Sequence, residues 1–204
     1  KSLTVLQLLP ALESGGVERG TLELGAGLVH AGHRSLVISA GGRLVSRLTG
    51  QGSEHFQWPI GRKSLWSLRL VKRLQKFIVN NRVDILHARS RMPAWIAWLA
   101  WRGLPQQTRP RLVTTVHGLY SVSRYSSIMV RGEAVIAVSE AAQHYIFEHY
   151  PHTEASRVHL IERGIDRNIY PFAYRPPDSW MARWYQEFPL PAGAPGVDAA
   201  GPYY

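Results

Sequence analysis

One feature limits the fold more than any other. Short apolar runs alternate with helix-spaced patterns from the first residues to about position 160. Runs at residues 2–9 (SLTVLQLL), 34–40 (RSLVISA), 55–60 (HFQWPI), 83–88 (VDILHA), 111–118 (RLVTTVHG), 133–139 (EAVIAVS) and 157–161 (RVHLI) read as strands. Between them, Val17, Thr21, Leu24 and Leu28 recur at helical spacing up to a stop at Gly32. Leu70, Val71, Leu74, Phe77 and Ile78 form one face of a helix over about 64–80, a Trp-rich helix follows Pro93, and Ser139 can cap another. Strand, helix, strand in repetition predicts an α/β fold, a Rossmann-like parallel sheet with helices on both faces. Ligands of such sheets gather at the carboxyl ends of the strands.

The alternation stops near Tyr170. A linker-like stretch, a short helical candidate (SWMARWYQEF) and a tail rich in Pro, Gly and Ala follow. The expected division is a compact domain over 1–172 and a crossover or linker segment with its tail over 173–204.

Composition removes several function classes. The 204 residues contain no cysteine, which excludes disulfides, zinc–cysteine sites and thiol nucleophiles and fits a cytosolic protein. The longest apolar run, MPAWIAWLAW, is about half of the roughly 20 residues that cross a bilayer. No series resembling a signal peptide opens the chain, and a start at Lys1 instead of Met suggests that a few residues are missing. The net charge of +10 points to an anionic partner: a nucleic acid, a phosphorylated substrate or a membrane surface. No helix-turn-helix, zinc-finger or RNA-recognition pattern is legible, so nucleic acid is not expected.

The first strand leads into LESGGVERG, with glycines at 15, 16 and 20. A dinucleotide fingerprint needs glycine where Val17 stands. A Walker A loop needs Lys and Ser/Thr where Thr21 and Leu22 stand. There is no Gly-x-Ser-x-Gly elbow. What remains is a loop whose backbone can approach a ligand ahead of a helix N-terminus, or else merely a tight turn.

Taken in order, LESGGVER, GLVHAGHRSLVISAGG, DILHARS, VTTVHG, AVIAVSE and VHLIERGID resemble the amino-terminal half of glycosyltransferase family 4, over roughly residues 2–172. These are retaining sugar transferases of GT-B architecture, in which two Rossmann-like domains face each other across a cleft. The resemblance implies that the chain is the acceptor-side half, with Gly15 and Gly16 approaching the donor diphosphate. It also implies that His117 sits beside the transferred sugar as the catalytic residue. A lone histidine is otherwise a structural one. No cofactor or metal is implied: the donor is a nucleotide-diphosphate sugar, no Asp-x-Asp pair occurs, and His144, His149 and His152 lack metal spacing.

Two departures stand out. Arg163 occupies the place of an asparagine in the family's Asn-Gly-Ile/Val-Asp motif. The donor-binding half, with its basic residues and paired glutamates, is not recognisable after Pro171, so this chain alone is expected to be inactive. A non-catalytic sugar-nucleotide-binding module and a nucleotide-sugar epimerase of the same architecture are the alternatives.

Residues 62–82 carry seven Lys or Arg and no acid. Arg69, Lys72, Arg73 and Lys76 recur opposite the Leu70, Leu74, Phe77 stripe, with Trp66 at the start as an interfacial anchor. Such a helix either rests on anionic lipid or is an ordinary solvated face. The first reading makes the protein cytoplasmic and peripheral on the inner face of the cytoplasmic membrane, with a glycan or glycolipid as acceptor. Arg89, Arg91, Arg124 and Tyr125 are the candidates for contacting an anionic acceptor.

Overall fold

The structure, a computed structural model, describes residues 1–62, 64, 67, 69–164, 171–172 and 174–189. Residues Lys1–Arg163 form one compact unit and Gly164–Tyr204 a second. Trp66 lies outside the described residues.

The first unit is the expected sheet. Its strands are β1 (Thr4–Leu8), β2 (Arg34–Ser39), β3 (Glu54–Gln57), β4 (Ile85–Ala88), β5 (Arg111–Val116), β6 (Ala134–Ala137) and β7 (Val158–Leu160). They lie in the order β3-β2-β1-β4-β5-β6-β7, and every pairing is parallel. The order reverses at β1, where the chain moves first to β2 and β3 and then back across to β4. That reversal opens a crevice at the carboxyl ends of β1 and β4.

The helices are α1 (Gly16–His30), α2 (Val45–Gly50), α3 (Arg69–Asn80), α4 (Arg91–Arg102) and α5 (Glu140–His149). Alternation along each strand sorts the side chains into two layers. Leu6, Leu8, Leu36, Ile38, Leu86, Ala88, Leu112, Val116, Val135 and Ala137 pack under α3, α4 and α5. Val37 lies on the other face with Leu9, Leu12, Leu22 and Leu48, beneath α1 and α2.

Local chemistry explains most boundaries. Ser139 caps α5 by accepting from the Ala142 N–H at 3.2 Å. Gly32 leaves α1 at φ +76°. The Trp-rich helix begins at Arg91, ahead of Pro93, because proline's missing N–H costs nothing in a first turn whose donors are unpaired anyway. The third strand ends at Gln57, and Trp58 and Ile60 are buried in the loop beyond it.

Two features escaped the pattern. Helix α2 has six residues and buries only Leu48, too little for a period to show. The buried seam of α1 is Gly20, Thr21, Leu22 and Gly25, not the Val17, Leu24 and Leu28 stripe. A Cβ on Gly25 would lie 2.6 Å from Ser53 Oγ and 3.3 Å from Ser35 Oγ, so α1 presses close to the sheet through positions with no hydrophobic signal.

The second unit holds α6 (Asp178–Glu187), where Trp180 and Trp184 stack with centroids 5.3 Å apart and Phe188 lies 4.6 Å from Trp184. Among the described residues no helix is long and apolar enough to cross a membrane.

Candidate functional site

The loop from β1 to α1 is held from behind. Leu12 N–H donates to Gly41 O at 2.7 Å, Leu44 N–H to Leu12 O at 2.8 Å, and Arg43 Nε to Glu13 O at 2.8 Å. Gly15 then takes φ +137°, which glycine adopts without strain, and Gly16 opens α1. The first turn of α1 therefore presents unpaired N–H groups and the positive end of its dipole at the crevice.

Three side chains converge on the same place. Arg89 follows β4 and is 6% exposed. Its Nη1 donates to Gln7 Oε1 at 3.1 Å, and Gln7 in turn donates to Thr21 O of α1 at 3.2 Å. Its Nε has no hydrogen-bond partner among the described residues. Arg163, beyond β7, donates from Nη2 to Gly16 O. His117, one residue past β5, feels both guanidinium charges.

These charges decide the state of the histidines. Burial first, then Arg89 and Arg163, push the His117 pKa down to about 3. Burial, Arg89 and His117 likewise hold His87 well below the usual range. Burial, with Arg163 adding to it, lowers Arg89 to about 10. Both imidazoles are therefore neutral near pH 7, and Arg89 remains charged. The two rings differ in one respect. His87 Nε2 shares a hydrogen bond with Thr115 Oγ1 at 2.7 Å, so it is a satisfied core histidine. Among the described residues, neither buried ring nitrogen of His117 has a hydrogen-bond partner. A neutral imidazole with one free donor and one free acceptor is suited to a hydroxyl.

This arrangement has a pH signature. Below pH 6.5 the unfolded chain takes a proton on each of these histidines while the folded one does not, so stability falls with falling pH. Between pH 6.5 and 5, where most carboxylates stay ionised, each buried histidine should contribute a slope approaching about 1.4 kcal/mol per pH unit. Urea midpoints across that range should fall less steeply for His117→Asn than for wild type. Equal slopes would mean that His117 is not held neutral.

The sequence had grouped Arg89 with Arg91 on the acceptor, and the structure separates them. Arg91 faces the loop after β5. Its Nη1 donates to Ser126 Oγ at 3.3 Å, and its guanidinium lies 5.0 Å from the Tyr120 ring and 5.4 Å from the Tyr125 ring. Arg124 is exposed beside Tyr125, whose carbonyl accepts from Trp95 Nε1 at 3.0 Å. Arg91, Arg124 and Tyr125 thus form one group, whereas Arg89 belongs with Gly16, Gly20 and His117. Gln7 and Thr115 were not foreseen: one polar residue inside an apolar run carries little signal.

On α3, Lys72, Arg73 and Lys76 are exposed opposite buried Leu70, Leu74 and Ile78, and Arg69 is exposed at its start. Arg73 is not simply presented to solvent: its guanidinium covers the Trp58 ring at 4.1 Å. A cavity of about 610 Å³ opens among Trp98, Ser127, Arg131, His149, His152 and Arg157 and shares no residue with the crevice.

The sheet is parallel throughout, its order reverses at β1, and a glycine-led helix N-terminus stands at that switch point. Residues 14–169 match the model of Glycosyltransferase Family 4, and the chain belongs to that family. Among solved structures it is similar to a glycosyltransferase from Rickettsia africae, at 33% identity and TM-score 0.74, over 95% of this chain and 51% of that one. HepE of Anabaena, in complex with UDP and glucose, matches at 19% identity and TM-score 0.68, over 91% and 50%. The sucrose-phosphate synthase of Thermosynechococcus elongatus matches at 15% and 0.64, over 94% and 53%. The last two show the fold alone. The chain spans about half the length of these structures. A search of curated proteins gave no match.

Proposed function

We propose that this chain is the acceptor-side half of a retaining glycosyltransferase. The enzyme moves a hexosyl group from a nucleotide-diphosphate sugar to a glycan or glycolipid acceptor, without a metal or other cofactor. The observation that carries this reading is the convergence of the α1 N-terminus, Arg89 and the unpartnered neutral ring of His117 at one crevice. Departure of a nucleoside diphosphate concentrates negative charge, which N–H groups and a buried guanidinium stabilise as it develops. His117 holds a hydroxyl of the transferred sugar. Arg91 at the start of α4 and Arg124 and Tyr125 in the loop after β5 meet an anionic acceptor.

HepE is complexed with UDP and glucose, so UDP-glucose is the first donor to try. The test joins this chain to a donor-binding half and supplies radiolabelled UDP-glucose with a bacterial glycolipid fraction. Label should enter the glycolipid with its anomeric configuration retained, and His117→Ala should reduce the rate at least about 100-fold. Isomerised nucleotide-sugar formed without acceptor would instead make the protein an epimerase. Tight binding with no product from a panel of nucleotide-sugars would make it a binding module.

The α3 face is part of the same reading, as the surface that brings a glycolipid acceptor within reach at the inner face of the membrane. Lys72 and Lys76 are exposed on it, and each is expected to contribute about 1 kcal/mol near an anionic surface. Cosedimentation with phosphatidylglycerol vesicles should fall about 10-fold or more for the Lys72→Gln/Lys76→Gln variant. Unchanged binding would return α3 to being a solvated helix.

A further inference from the structure

We propose that Arg163 is the movable arm of a two-arginine clamp for the pyrophosphate of the donor, and that Gly16 is small in order to admit this guanidinium. The proposal rests on the reading of the crevice as a nucleotide-sugar site.

A Cβ on Gly16 would lie 2.5 Å from Arg163 Nη1. A Cβ on Gly20, one turn on, would lie 2.8 Å from Arg89 Nη2 and 3.1 Å from Arg163 Nη2. The two guanidinium groups therefore meet over the first turn of α1, and the room that the glycines leave is already taken by this chain's own side chains.

That meeting is electrostatically unfavourable as it stands. Two cations converge where the helix dipole is also positive; Glu18 stands in the same first turn, and the attraction of Glu23 for Arg89 is weaker than the repulsion from Arg163. Among the described residues, the ion pairs within 4 Å join Arg34 to Glu54 and Arg111 to Glu133, and neither involves these arginines. Their hydrogen-bond acceptors are neutral: the Gln7 amide for Arg89 and the Gly16 carbonyl for Arg163. Arg89 is 94% buried, with its Nε unpartnered. A dianionic group placed between them would pair both guanidinium forks and relieve the repulsion.

The two arms differ in freedom. Arg89 is enclosed and tied through Gln7 to Thr21, so it cannot move far. Arg163 is exposed and held by a carbonyl that α1 uses in its own ladder, so letting go leaves no unsatisfied acceptor. Exchanging that carbonyl for a phosphate oxygen replaces a bond to a neutral acceptor with one in which both partners are charged.

The experiment titrates the 204-residue chain with inorganic pyrophosphate and, separately, with UDP, by calorimetry at fixed ionic strength. Arg163→Ala should weaken pyrophosphate about 10- to 100-fold, and Arg163→Lys should recover only part of this because the fork is lost. Gly16→Ala should weaken binding in the wild-type background by displacing Arg163. In the Arg163→Ala background it should add little, so the cycle shows strong coupling. Denaturation midpoints of each variant within a degree or so of wild type separate binding losses from misfolding. Pyrophosphate binding that is equal in wild type and Arg163→Ala overturns the proposal and leaves the donor-site reading standing. Additive losses in the double variant overturn the role given to Gly16. Failure of the wild-type chain to bind either ligand at millimolar concentration overturns both the proposal and the donor-site reading beneath it.

Discussion

Gly42→Ala is expected to destabilise the first unit by about 2–5 kcal/mol and to disturb the crevice without touching it. Gly42 lies just after β2 at φ +136°, in the region that L-residues rarely adopt. A Cβ there would stand 2.5 Å from both the carbonyl carbon and oxygen of Leu12 and 2.9 Å from Glu13 N. These are backbone atoms of the loop that carries Gly15 and Gly16, so no rotamer change relieves the overlap. The hydrogen bonds from Leu12 to Gly41 and from Leu44 to Leu12 would have to shift with it. Urea denaturation should show the midpoint falling, and pyrophosphate affinity should fall in the fraction that remains folded. Gly27→Ala is the contrast. Gly27 is an exposed helical residue with nothing within 4 Å of a Cβ, so the substitution should stabilise by up to about 1 kcal/mol. If both substitutions were neutral, the loop would not be anchored as described.

The contrast between these two glycines also marks what the sequence could and could not convey. Strands such as VTTVHG and AVIAVS are legible because a parallel strand buried on both faces reads as a nearly continuous apolar run. Ser139 is legible because a hydroxyl before a helix has one common use. Gly15 and Gly16 stand out as a pair, but their reason does not: the atom that a Gly16 side chain would strike belongs to Arg163, far away in sequence and brought close by the order of the sheet. Arg89 was visible as a basic residue at a strand end. That it turns toward α1 while Arg91, two residues on, turns toward Ser126 depends on where α4 begins. Periodicity locates elements. It does not say which of two neighbouring charges the fold will enclose.

Arg89 is where the fold and the proposed function should be found in conflict. Lowering its pKa from 12.5 to about 10, chiefly through burial, corresponds to roughly 3 kcal/mol of folding free energy withheld at every pH below about 10. Arg89→Met alone removes that penalty but strands Gln7 Oε1, fully buried in β1, at a cost of about 1–3 kcal/mol. The double variant Arg89→Met/Gln7→Leu removes both partners together. With no anion present it should be at least as stable as wild type, by up to about 3 kcal/mol, because an apolar pair of similar volume replaces a buried charge whose hydrogen-bond acceptor is a neutral amide. The same variant should bind pyrophosphate at least about 10-fold more weakly. Stability gained while binding is lost is the mark of a residue kept for its ligand. A double variant that is clearly less stable would make Arg89 a structural strut between β1, β4 and α1. Unchanged affinity would remove it from the clamp. Saturating wild type with pyrophosphate should close the stability gap, since a ligand that binds only the folded chain adds stability by mass action. At the same pyrophosphate concentration that added stability should be smaller in the double variant, by about 1.4 kcal/mol for each 10-fold loss of affinity.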